Sequence, residues 1–321
     1  MKPVVTFRTG AALAHDCICL AGALDALDAN EPYTRVFIYD EQDKSLWFHY
    51  EEEHKVVAIR TWSDPIHGHK NFITMSNEGD VAFVGEEATI EKIPEAGVFS
   101  DDAKGWGYMS AFRQIDGLLY AVGGGGQIYK RAASGQWGHM DTGILQSPSV
   151  KDRLLFTDIN GPHSDDIYVC GDIPSAYGLA GQLYHWNGLA WNLLPTPSSE
   201  RLTSIHVQKS GDVWVCGANG TLMRGDWKRG FIDVSTVDDN QLFYSLTELD
   251  DIIYLASNFG LFMFDGKTIS EVATGLNPEL QDAHVIQSID NVLWSIGFKD
   301  IARFDGSNWK RIDHPSNPPI G

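Results

Sequence analysis

The stretch Leu183-Tyr184-His185-Trp186-Asn187-Gly188-Leu189-Ala190-Trp191 constrains this chain more than any other, because its pattern is written three times. It returns as Leu261-Phe262-Met263-Phe264-Asp265-Gly266-Lys267-Thr268-Ile269 and as Ile301-Ala302-Arg303-Phe304-Asp305-Gly306-Ser307-Asn308-Trp309. Each copy is an apolar and aromatic run, an Asn-Gly or Asp-Gly step, and a polar spacer ending in a large apolar residue. That order predicts two antiparallel strands joined by a tight turn. A single hairpin cannot bury its own hydrophobic face, so hairpins repeated along one chain must fold as a stack or a ring.

A second marker precedes the hairpins: a four-residue β run ending in a small residue. The six runs end at Gly85, Gly123, Gly171, Gly217, Ser257 and Gly297, so subtraction gives spacings of 38, 48, 46, 40 and 40. This is the period of a four-stranded blade. Alternating runs lie ahead of the markers, as in Leu202-Thr203-Ser204-Ile205-His206-Val207 and residues 283–289, closed by turns such as Ser210-Gly211-Asp212 and Asp290-Asn291. Each repeat therefore supplies strand A, a turn, strand B ending at the marker, and the C and D strands of the hairpin. The first 65 residues supply a seventh repeat, with 16–20 as strand A, 35–39 as B, 46–50 as C and 55–59 as D. The expected fold class is all-β, a single domain over 1–321 with blades near 10–62, 68–98, 105–143, 150–196, 200–236, 240–273 and 281–314.

On these repeats the chain resembles a seven-bladed β-propeller of the broad WD40/YVTN/BNR-like kind. No Trp-Asp dipeptide ends a blade and no Ser-x-Asp-x-Gly-x-Thr-Trp box occurs, so the resemblance carries architecture and not activity. It implies that the loops from B to C, and from D to the next A, open on one face around a central channel. It also implies that residues 3–7 add a strand closing the ring against the last blade, which would remove an exposed sheet edge. Read onto this sequence, that face would gather Asp64, Glu86, Glu87, Asp101, Asp102, Asp172, Asp238, Asp239, Asp282 and Asp300. Trp62, Trp106, Tyr108, Tyr177 and Phe259 would lie among them.

Carboxylates interleaved with aromatic anchors suit recognition of a basic protein, since aromatics dominate binding hot spots and opposite charge speeds encounter. The whole chain agrees in sign, with 24 Lys and Arg against 43 Asp and Glu and a formal charge of -19. Bare nucleic acid and anionic membranes are thereby poor partners. No window approaches the ~20 apolar residues of a membrane span, and the interrupted N-terminal apolar stretch lacks the anatomy of a secretory signal. Four cysteines in 321 residues make no disulfide framework, so a reducing, cytoplasmic setting is expected, with Cys17, Cys19, Cys170 and Cys216 as core.

Catalytic signatures are absent: no Gly-x-Ser-x-Gly elbow, His-Glu-x-x-His or Cys-x-x-Cys pair is present. Gly123-Gly124-Gly125-Gly126 sits between strands without the Gly-Lys spacing of a phosphate loop and reads as a flexible connection. The expected function is non-enzymatic protein binding without metal or cofactor, by a chain that is monomeric when free. A specific form is a bacterial immunity protein that neutralises a basic toxin, such as a nuclease. The alternatives are a propeller hydrolase or lyase with a metal-assisted site drawing on Asp64, His67, His69 and Asp172, and a sugar-binding propeller stacking ligands on Trp62, Trp106 and Tyr177.

Overall fold

The computed structural model describes residues 4–64, 68–85, 89–237 and 240–320. These form seven separate antiparallel sheets of four strands, each in the order A-B-C-D. The A strands are Val5–Ala14, Val56–Ser63, Met109–Ile115, Leu155–His163, Leu202–Val207, Phe243–Leu249 and Val285–Ile289. Each lies against the next, and the seventh lies against the first, so the sheets close as a seven-bladed propeller. The B-to-C and D-to-next-A connections emerge on one end of the ring, here the upper face. The A-to-B and C-to-D turns emerge on the lower face.

Local chemistry explains both repeated sequence markers. In the C-to-D turns the Asp or Asn side chain caps the turn: Asp265 Oδ1 accepts the N–H groups of Lys267 and Thr268 at 2.9 Å each. Asp305 does the same for Ser307 and Asn308 at 2.8 Å, and Asn187 for Leu189 and Ala190 at 3.0 Å. These N–H groups hold the exposed Asp265 and Asp305 carboxyls below their ordinary pKa. The small residue ending strand B has a steric cause. A Cβ on Gly171 would stand 2.0 Å from the Leu155 carbonyl oxygen, and one on Gly217 2.0 Å from that of Arg201, where strand A enters the blade.

The first two blades differ from the sequence reading by one strand. Val5–Ala14 is the innermost strand of blade 1, not a closing strand, and it is followed by Cys17–Leu24, Thr34–Asp40 and Trp47–Glu52. The run 55–59, expected as strand D of blade 1, falls instead at the start of Val56–Ser63, strand A of blade 2, with Lys55 just ahead of it. Strand B of that blade is Lys70–Ser76, so the marker there is Phe72-Ile73-Thr74-Met75-Ser76, and the run ending at Gly85 is strand C. The Gly-rich run is corrected too. Gly124, Gly125 and Gly126 are buried, with the Gly124 and Gly125 N–H groups bound to the Tyr108 and Leu154 carbonyls at 2.9 and 2.7 Å. Gly125 adopts φ 68°, and a Cβ there would meet Trp106 O at 2.8 Å, so glycine serves close packing and not mobility.

The core is a set of clusters between neighbouring blades. One joins the first blade to the last through Phe7, Ile18, Phe37, Tyr39, Trp294 and Ile296. Trp294 is fully buried, packs against Tyr39, and donates its indole N–H to Ala14 O at 3.2 Å. Cys19, Cys170 and Cys216 are buried as expected of core fillers, whereas Cys17 is only half-buried. Replacing Trp294 by Ala should destabilise the fold by about 3–5 kcal/mol, as for other large-to-small core changes. Chemical denaturation checks this, and a loss below about 1 kcal/mol would contradict the packing described.

Candidate functional site

The upper face carries a feature that, among the described residues, no other blade repeats. Strands B (Asp166–Ser175) and C (Gly178–Trp186) of blade 4 remain paired past Gly171, through Ile173 with Ala180 and Pro174 with Leu179 to Ser175 with Gly178. At ~3.3 Å per residue, the four residues beyond Gly171 lift the tip about 13 Å further than a strand ending at the marker. Tyr177 sits on that tip, 101% exposed, in a turn fastened by Ser175 Oγ donating to Gly178 O at 3.1 Å.

Exposed aromatic rings concentrate on this face. Of the seven exposed large aromatic side chains among the described residues, Phe99, Tyr108, Tyr177, Phe259 and Phe298 lie in its loops; Phe48 is on an outer strand and Trp227 on the lower face. Phe99, 81% exposed, lies 6.4 Å from Tyr108. Its loop is pinned by Glu78, whose Oε2 accepts the N–H groups of Val98 and Phe99 at 2.9 Å and of Ser100 at 3.2 Å. The sequence reading missed Glu78 and Phe99 as site residues. No periodic signal marks Phe99, because it lies in the long irregular connection between Lys92 and Met109.

The predicted carboxylates behave differently from free recognition groups. Asp172 is buried and ion-paired with Arg201 at 2.9 Å; burial raises its pKa and Arg201 counters part of that rise. Asp300 is buried and makes a bidentate pair with Arg311, both bonds 2.8 Å. Asp282 accepts the Phe298 N–H at 2.7 Å and Asp102 the Glu95 N–H at 2.7 Å. Asp101 is exposed and Trp106 half-buried, edge-on to His139. Trp62 and Asp64 lie at the A-to-B end of blade 2, on the lower side, with Trp62 buried. Glu86, Glu87, Asp238 and Asp239 fall outside the described residues, as does His67. Asp64 and His69 are thus on the opposite face from Asp172. Among the described residues no three His, Cys, Asp or Glu side chains gather in a metal-binding group.

The A strands enclose a central channel of about 520 Å³. Three arginines, Arg8, Arg60 and Arg113, line it together with one carboxylate, Asp158. At its upper rim His284 stacks on Phe298, ring centres 5.0 Å apart, and neither of its ring nitrogens has a hydrogen-bond partner among the described residues. Burial pushes the His284 pKa down to about 4.

No family model matches this sequence. Over 225 residues the chain is 32% identical to the immune protein Tsi7 of Pseudomonas aeruginosa, spanning 70% of this chain and 69% of that protein. Among solved structures it is similar to the virginiamycin B lyase of Staphylococcus aureus, with TM-score 0.67 and 9% identity over 92% of both chains. It also resembles YCF48 bound to D1 peptide, with TM-score 0.64 and 12% identity over 99% of this chain and 96% of that one. Likeness at these identities is likeness of fold.

His284 makes the acid limb of stability testable. In the unfolded chain a histidine titrates near 6.5, whereas the folded chain resists protonation to about pH 4. The unfolded state therefore binds the proton first, and stability falls as pH drops from about 6.5 towards 4. His185 and His206, also lowered by burial, act in the same direction. His284→Gln should flatten the slope in that window, measured as midpoint of unfolding against pH; slopes equal to wild type would contradict this.

Proposed function

The chain belongs to the family of the immune protein Tsi7, and on that premise we propose that it is a cytoplasmic immunity protein that inactivates a basic toxin by binding it with the upper face. The observation that carries this reading is that five exposed aromatic rings lie in the loops of that face, with Tyr177 raised on a hairpin that only blade 4 has among the described residues. Exposed aromatic rings set among polar loops on one face are the kind of anchor that protein interfaces use. One raised hairpin makes the ring asymmetric, which suits a single protein partner better than a set of equivalent small-ligand sites.

In this reading charge and aromatics divide the work. The net charge of -19 attracts a basic domain from a distance and sets the rate of encounter. Asp172 at the base of the hairpin, and Asp282 and Asp300 on the far side of the same face, are already satisfied internally, so they shape loops, and the rings supply the holding energy. Binding should therefore slow with added salt while a large part of the affinity persists.

The experiment is a titration with the basic toxin domain retained by the tagged protein at low salt, paired with growth rescue on co-expression. Tyr177→Ala should weaken binding at least tenfold, about 1.4 kcal/mol or more, and reduce rescue. Its unfolding midpoint should match wild type, because the replaced ring touches nothing that holds the fold. Unchanged affinity in both Tyr177→Ala and Phe259→Ala would overturn the assignment of this face.

A further inference from the structure

The central channel inverts the charge of the molecule. A protein of net charge -19 lines its hub with three arginines and a single aspartate. Asp158 is fully engaged: it accepts the Ser204 hydroxyl at 2.8 Å, the Ile205 N–H at 3.0 Å and the Ile159 N–H at 2.9 Å, with Arg113 Nη2 at 3.3 Å. Burial raises its pKa, but Arg113, Arg60 and these donors outweigh that and hold it below its ordinary value. Arg60 reaches the same oxygen at only 3.9 Å. The two guanidinium groups therefore converge on one carboxylate that has little left to offer the second.

The second cation shows the strain of that arrangement. Arg60 gives Nη1 to its own neighbour's carbonyl, Ile59 O, at 2.9 Å, and its Nε is buried without a partner among the described residues. Burial, and then the like charge of Arg113, lower its pKa to about 10. Arg8 Nη2 donates to Ala29 O at 3.4 Å, and its Nη1 is likewise buried without a partner among the described residues. Both side chains are half-buried at the channel wall, and N–H groups that no protein acceptor takes are free to donate to an anion there.

We infer that the channel is a binding site for a small oxyanion, held by Arg60 and Arg113, in the 520 Å³ space between the A strands. Arginine forks match the oxygens of phosphate and carboxylate in pairs. Thr61 adds a hydroxyl to the same wall, and Gln114, Asn160 and Thr247, bonded to the neighbouring A strands, keep that wall polar. This site is independent of the aromatic face and of any toxin, so its failure would leave the proposed function standing.

The test is a titration of the full chain with sodium phosphate at fixed ionic strength, read by the unfolding midpoint and by 31P line width, with sulfate as competitor. Saturable binding displaced by sulfate, and at least tenfold weaker in Arg60→Gln, is the expected result. No saturable binding in wild type, or the same affinity in Arg60→Gln, would overturn the proposal. If Arg60→Gln does not fold, wild-type crystals soaked in selenate decide: an anomalous peak between Arg60 and Arg113 supports the site, and its absence there refutes it. A parallel acetate titration separates the two sources of this chemistry: equal competition points to a carboxylate, selective phosphate binding to a phosphate group.

Discussion

Everything in this molecule depends on closing a ring whose seven sheets share no strand. Each blade takes its four strands from one continuous stretch, so no ladder ties the last blade to the first. Side chains do it instead. The Gln287 amide accepts Ala12 N–H at 2.9 Å and donates to Ala12 O at 3.3 Å, standing in for a strand partner. Phe7 N donates to Phe298 O at 2.9 Å, and Arg303 and Lys310 bind Glu41 at 2.7 and 2.8 Å. The tail beyond the last strand completes the clasp: His314 is buried edge-on against Phe7, Phe37 and Trp47, and Asn317 accepts the Val5 N–H. Closure rests on apolar burial, reinforced by a few mostly part-buried hydrogen bonds.

The same device repeats around the hub. Gln114 grips Ser63 N–H and O at 2.9 and 2.8 Å between blades 3 and 2, as Gln287 grips Ala12. Ser110 and Thr157 each donate to a carbonyl of the following A strand, Phe156 and Leu202, and Ser245 Oγ accepts the Ile286 N–H at 2.8 Å. A hub wall built from Ser, Thr, Asn and Gln is polar by necessity, since these groups replace the missing ladders. That polarity makes it possible to place charged arginines there at all, because the inner wall is already a hydrogen-bonding surface.

Much of the fold was legible because its units are local. The Asp-Gly and Asn-Gly turns, the glycine at the end of strand B and the alternation of each run are consequences of contacts within one blade, and they surface as a period. The first blade misled because its B-to-C connection, between Leu24 and Thr34, is long, and Cys17–Leu24 reads equally well as an inner or a second strand. Only the packing of Val5–Ala14 against the last blade decides between them. The site was less legible. Tyr177, Tyr108 and Phe259 are on the upper face as the repeat implies, but Trp62 and Asp64 moved to the other side with the one-strand shift. Asp172 and Asp300 are buried against Arg201 and Arg311, which lie on other segments of the chain, and no local pattern in the sequence marks either pairing.

The separation of charge from contact follows from the same physics. A carboxylate near a loop backbone is drawn to N–H groups and arginines, as Glu78, Asp282 and Asp300 show, and once satisfied it has little to gain from a partner. An aromatic ring in a loop has no such internal outlet unless a pocket exists for it. Phe99 and Tyr177 are left outside for that reason, each on a backbone fixed by polar bonds: Glu78 beneath one, and the extended pairing of blade 4 beneath the other. Rings held on ordered loops lose less freedom on binding than rings on mobile ones, so the polar network that hides the charges also prepares the apolar surface for a partner.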